Sequence, residues 1–167
     1  MSTAPVTGYS RLQIALHWTV FLLVAFQIVG HEAILRVGEA LRDNAVPAAG
    51  DVTLANLHVA AGIAIFAFAI WRVYLMLTRG GPQPPESEHP ALRILAKATH
   101  GILYLLLLGM PISGAAAWFG GIEAAAFGHS MARFVLLPLI LLHVVGALAH
   151  HYVFKTDVLR RMTRPQA

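Results

Sequence analysis

The chain has 167 residues, of which 57% are hydrophobic and only 12% charged, with a formal net charge of +4. A soluble domain would carry about twice that share of charge, and a disordered chain would be poor in apolar residues. The absence of cysteine removes disulfides, thiolate metal sites, iron–sulfur clusters and cysteine nucleophiles, which leaves an integral membrane protein with little mass outside the bilayer.

A transmembrane helix needs about 20 mostly apolar residues. Four stretches qualify in chain order: Ile14 to Leu35, Leu54 to Leu77, Ile94 to Phe119 and Arg133 to Phe154. The first has no basic leader and stays apolar past a signal-peptide core, so it reads as a retained span. A Pro-rich tract from Gly80 to Pro90 joins spans two and three as a polar loop, and a loop from Gly120 to Gly128 precedes the fourth span. Short connections between four helices predict an all-α, up-down-up-down four-helix bundle forming one domain over residues 1–167.

Charge sets the expected orientation. Arg11, Arg72, Arg79, Arg93, Lys97, Lys155, Arg160, Arg161 and Arg164 fall on the side that holds both termini, while only Arg36, Arg42 and Arg133 fall on the other. The positive-inside rule then predicts cytoplasmic termini. Acids run the other way, with Glu32, Glu39, Asp43, Asp51 and Glu123 outside and Glu86, Glu88 and Asp157 inside. The basic balance therefore marks topology, and no nucleic-acid partner is expected.

Nine histidines against eight acids is the other unusual feature. His17, His31, His58, His100, His129 and His143 lie within or at the edges of spans, His150 and His151 follow span four, and His89 lies in the loop. An isolated intramembrane histidine is most often a polar side chain bonded between helices. Six of them, with almost no intramembrane acid to pair with, point instead to metal or cofactor ligation by neutral imidazole.

His129 and His143 are 14 residues apart, a rise of about 21 Å that ends about 40° short of four full turns. One helix can thus offer a ligand near each membrane surface to two stacked cofactors, with Pro138 between them able to kink it. Second ligands at the inner level are His17 or His100. At the outer level they are His58 or His31, and because His17 and His31 are also 14 apart, spacing alone does not separate the two. Zinc-hydrolase chemistry fits less well: there is no H-E-x-x-H, and no buried acid to orient a triad base.

The run Tyr9-Ser10-Arg11-Leu12-Gln13-Ile14-Ala15-Leu16-His17-Trp18 resembles the start of bacterial cytochrome b561 proteins, including superoxide oxidases. The similarity continues through Leu57-His58-Val59 with Gly62, His100 with Tyr104 and Pro111, and His143. It closes on Ala149-His150-His151-Tyr152, Lys155, Leu159-Arg160 and Met162. The resemblance implies a protein of the bacterial inner membrane with two haem b groups that exchanges electrons with the quinone pool. It implies His17 with His143 as ligands of the cytoplasmic-side haem and His58 with His129 as ligands of the outer-side haem.

Other positions gain candidate roles. Arg72, 14 residues after His58, returns to the same helix face at the inner end, where its guanidinium can pair with a haem propionate or simply snorkel. His150, two turns after His143, and His100 with Lys97 one turn before it, are candidates for a quinone site. Trp18, Trp71, Trp118, Tyr9 and Tyr152 fall at span ends as aromatic belts.

The expected function is electron transfer through two bis-histidine haems, whose closed axial positions disfavour oxygen binding. The resemblance adds a reaction, the oxidation of superoxide at the outer surface with reduction of ubiquinone to ubiquinol. The outer side is net acidic, so attraction of an anion there must be local, from Arg133 near His129. The other reading is a haem-b anchor subunit passing electrons from a partner dehydrogenase or hydrogenase to quinone.

Overall fold

A computed structural model describes residues 7–85 and 88–165; Glu86, assigned above to the inner side, lies outside them. The described chain is all-helical. Helix α1 spans Arg11–Val29, α2 His31–Arg42, α3 Ala49–Arg79, α4 Pro90–Gly120, α5 Glu123–Tyr152 and α6 Val158–Arg161. Four of these, α1, α3, α4 and α5, are long and apolar enough to cross a membrane.

Local sequence accounts for the ends. Ser10 and Gln13 form a reciprocal capping box at the start of α1, with Gln13 N–H donating to Ser10 Oγ and Ser10 N–H to Gln13 Oε1. Pro90 opens α4, where its missing N–H costs nothing, and the His89 ring accepts from Ala91 N–H. Gly121 ends α4 in the left-handed helical region (φ 62°), and Gly80 follows α3 with φ 73° and ψ −170°, a backbone conformation that glycine adopts readily.

Two expected boundaries are corrected. The first span does not run to Leu35: α1 stops at Val29, Gly30 closes it by donating to the Phe26 carbonyl at 2.8 Å, and the chain restarts as α2. With Glu32, Arg36, Glu39 and Arg42 in twelve residues, α2 cannot continue into hydrocarbon. It lies against α3 and α1 on a face carrying His31, Ala33 and Val37. Arg36 forks onto both oxygens of Asp51 at 2.7 and 3.1 Å, tying α2 to the first turn of α3. The Asp51 hydrogen bonds hold the Arg36 pKa above its ordinary value.

The second correction concerns Gly120 to Gly128, expected as a loop. Only Gly121 and Ile122 connect α4 to α5, and α5 begins at Glu123, well before Arg133. The left-handed Gly121 turns the chain at once, and Ala124, Ala125 and Ala126 are strong helix formers. The α4–α5 pair is therefore a tight hairpin, and His129 lies within a helix.

Helix α3 is the centre of the bundle, packing on α1, α2 and α4 and burying Ala55, Ala61, Ile65, Ala69 and Leu75. Helices α4 and α5 contribute one buried residue each, Thr99 and Leu136. No Cα atoms come within 8 Å between α1 and α5, or between α3 and α5. Large apolar side chains such as Leu22, Leu77, Leu105 and Leu141 point outward, as a lipid-facing surface requires.

The described chain begins and finishes at the same end of the bundle. There Gln13 Nε2 donates to the Gly80 carbonyl, Trp18 Nε1 to the Met162 carbonyl at 2.8 Å, and an Arg161 guanidinium N–H to the Gln83 carbonyl at 2.7 Å. Tyr9 packs beside Gly81 in this region, and burial, followed by the neighbouring Tyr104, pushes its phenol pKa up. The C-terminal segment thus folds back over the α3–α4 loop.

Candidate functional site

The span histidines gather at two levels. Near the end where the described chain begins and finishes, the His17 ring of α1 faces the His143 ring of α5 with centres 6.0 Å apart and planes tilted by 54°. His100 of α4 meets His143 edge-on at 5.0 Å. Near the opposite end, His58 of α3 and His129 of α5 have ring centres 6.4 Å apart, and His31 of α2 stands the same 6.4 Å from His58.

These separations bear on what the rings can hold. With an imidazole nitrogen about 2 Å from a first-row metal, two imidazoles on opposite sides of it have ring centres roughly 6 Å apart. The His17–His143 and His58–His129 rings have that spacing, and each pair bridges helices whose backbones stay apart. Among the described residues no three His, Asp or Glu side chains converge to hold a bare ion. The donor set fits axial ligation of a planar macrocycle better than a tetrahedral protein site.

His129 is oriented from a neighbouring helix. Its Nδ1 lies 2.8 Å from the Met110 carbonyl, which can only accept, so Nδ1 carries the proton and Nε2 keeps its lone pair. A second hydrogen bond of this kind is what fixes a ligating imidazole. The same Met110 carbonyl also accepts from Ser113 Oγ at 2.9 Å. Gly114 makes room: a Cβ there would lie 3.1 Å from both Cε1 and Nδ1 of His129.

His58 is held through its backbone, with Gln27 Nε2 donating to the His58 carbonyl at 2.9 Å. Its Nδ1 is buried without a hydrogen-bond partner, as is Gln27 Oε1. An orphaned, buried imidazole nitrogen is costly and is the kind of atom that ligation or a bound group satisfies. His31 belongs to α2, so the helical spacing from His17 does not carry across the Gly30 break.

Arg72 projects from α3 toward the termini end, its Nε 3.4 Å from the Tyr104 hydroxyl and its guanidinium 5.6 Å from that ring. His100 Nδ1 lies 2.7 Å from the Ala96 carbonyl, one turn back. Lys97 is exposed. His150 has neither ring nitrogen free: Nδ1 lies 3.1 Å from Thr156 Oγ1 and Nε2 lies 3.2 Å from Glu88 Oε1. Arg133 packs over the Phe134 ring at 5.2 Å.

Sequence reasoning left Gln27 and Glu88 without roles. Gln27 carries no pattern signal, since its importance is a distance across helices. Glu88 had one, as an acid flanked by prolines beside the inner ends of the spans.

Imidazoles paired between apolar helices are the arrangement of the membrane cytochromes b. The chain belongs to the prokaryotic cytochrome b561 family, whose model matches residues 8–165, and it is accordingly a haem-binding, multi-pass membrane protein of electron-transfer type. It is 38% identical to cytochrome b562 of Cereibacter sphaeroides, over 95% of this chain and 97% of that protein. It is 33% identical to the probable superoxide oxidase CybB of Yersinia pestis over 92% and 94% of the two chains, respectively. Cytochrome b561 homolog 2 of Escherichia coli is 30% identical over 64% of this chain and 69% of its own.

Proposed function

We propose that the chain is a two-haem oxidoreductase that oxidises superoxide at one membrane surface and reduces ubiquinone near the other. The observation that carries the haem assignment is the 6.0 and 6.4 Å spacing of the His17–His143 and His58–His129 rings across separated helices. Each pair would hold one haem b, which supplies a one-electron carrier with both axial positions closed. Arg72 would neutralise a propionate at the inner level.

The overall reaction balances. Two superoxide anions each lose one electron and become dioxygen, while ubiquinone gains those two electrons and two protons and becomes ubiquinol. Support for the substrate comes from the 33% identical relative named as a probable superoxide oxidase. Arg133, one turn from His129, supplies local positive charge for an anion at a surface otherwise rich in acids. His100, Lys97 and His150 are assigned to the quinone end, with the termini in the cytoplasm of a bacterial inner membrane.

The test uses purified protein in detergent. A reduced-minus-oxidised spectrum with a haem-to-chain ratio of about two is expected, and superoxide plus a soluble ubiquinone analogue should yield quinol. Two-haem protein that forms no quinol from superoxide would overturn the substrate and favour an anchor subunit fed by a partner dehydrogenase or hydrogenase.

A further inference from the structure

Glu88 is a poor candidate for an idle loop residue. Its side chain is only 5% exposed, although it stands outside every span, just before α4. A carboxylate removed from water needs a partner. Arg93 Nε is 3.9 Å away, and the Arg93 fork is spent partly on the Pro85 carbonyl at 3.4 Å. The short contact is to His150, at 3.2 Å. Arg93 and His150 are the charged or titratable side chains that reach Glu88 from the helices packed against it; Arg161 of α6 reaches only the Gln83 carbonyl of the same loop.

Proton positions follow from the partners. Thr156 Oγ1 donates its hydrogen to the His150 carbonyl at 3.2 Å, so toward the ring it can only accept. Nδ1 therefore carries a proton, and a second proton must lie between Nε2 and Glu88 Oε1 for that contact to be a hydrogen bond. Whether drawn on the ring or on the carboxyl, it is one transferable proton, held by two groups at the end of the bundle where the α3–α4 loop meets α5.

We propose that Glu88 works through His150 as the proton relay of the quinone site. The proposal rests on the quinone reading above and names a residue that reading lacks. The quinone oxygen shares the Nε2–H with Glu88 and takes that one proton as the electrons arrive, leaving neutral His150 beside an ionised Glu88. Glu88 then takes a proton from water on the side of the loop and shares it with Nε2 again. Thr156 holds the ring through Nδ1 so that only Nε2 exchanges. Glu88 is a positioning and relay residue, because it touches His150 and not the quinone.

The test runs the quinone half-reaction without superoxide. A soluble ubiquinol analogue is mixed with oxidised holoprotein, and haem reduction is followed optically from pH 5.5 to 9. Glu88→Gln should keep the two-haem spectrum and the quinol KM while slowing the maximal rate at least tenfold and flattening its pH profile. Glu88→Asp should recover a large part of both. Reduced-minus-oxidised infrared difference spectra should show a carboxyl band that Glu88→Gln removes. A Glu88→Gln rate within twofold of wild type at every pH overturns the relay. So does a raised KM with an unchanged profile shape, which would assign Glu88 to holding the loop. Wild-type protein that quinol cannot reduce at any pH overturns the quinone reading as well, so the two failures are told apart.

Discussion

Gly114 of α4 lies so close to His129 of α5 that a single added methyl would stand 3.1 Å from the imidazole. The ring is also pinned from the α4 side by the Met110 carbonyl, so it has little freedom to yield. Gly114→Ala should push His129 off its present position, and Gly114→Val should do so further. The expected readout is a haem-to-chain ratio falling from about two toward one. Gly38→Ala is the control, because a Cβ there meets nothing within 4 Å; its ratio should not change.

His31 and His58 cannot be ranked by ring distance, since His58 is 6.4 Å from both His31 and His129. The elements separate them. His58 sits within the long α3, whereas His31 opens the short polar α2 beyond the Gly30 break. His58→Ala should lose one haem and His31→Ala should retain both. Loss confined to the His31 variant would move the outer ligand to α2.

Arg72 should tune the inner level alone. A full charge within about 10 Å, at an effective dielectric of about 20, contributes roughly 1–2 kcal/mol, which for one electron is on the order of 50 mV. A cation stabilises the more negative, reduced form, so Arg72→Gln should lower one midpoint potential by about that amount. The other should stay put. A redox titration that moves both, or neither, would separate Arg72 from the inner haem.

The C-terminal segment is held by few bonds. Trp18→Phe removes the indole donor to the Met162 carbonyl while keeping an apolar ring at the span end. Trypsin should then cut faster after Arg160 and Arg161, with haem content unchanged. Equal cleavage rates would place the hold on Arg161 and Gln83 instead.

Much of the architecture was legible because the bilayer imposes it. Spans of this length cannot cross hydrocarbon except as helices, so hydropathy located the second and third spans within a few residues, together with the start of the first and the end of the fourth. The misses have local causes. Gly30 and the charges that follow it end the first span early. Gly121 makes a turn where a nine-residue loop was expected, because alanines after it favour helix over loop. His150 was legible as a titratable group at the inner end, but its engagement with Glu88 and Thr156 was not, since Glu88 is 62 positions away in the chain.

By itself the sequence determined that this is a four-span membrane protein of the cytochrome b561 family, and that His129 and His143 lie on one helix face about 21 Å apart. Helical periodicity makes that relation independent of the rest of the fold. Which imidazole meets which was decided only by the tertiary structure. Helix rotation and neighbour order depend on packing across helices: α3 at the centre, α5 standing off from both α1 and α3, and His31 displaced onto α2. The Gly114 gap and the Glu88–His150 contact belong to the same category, because each is a distance between helices or loops that no spacing along one chain segment specifies.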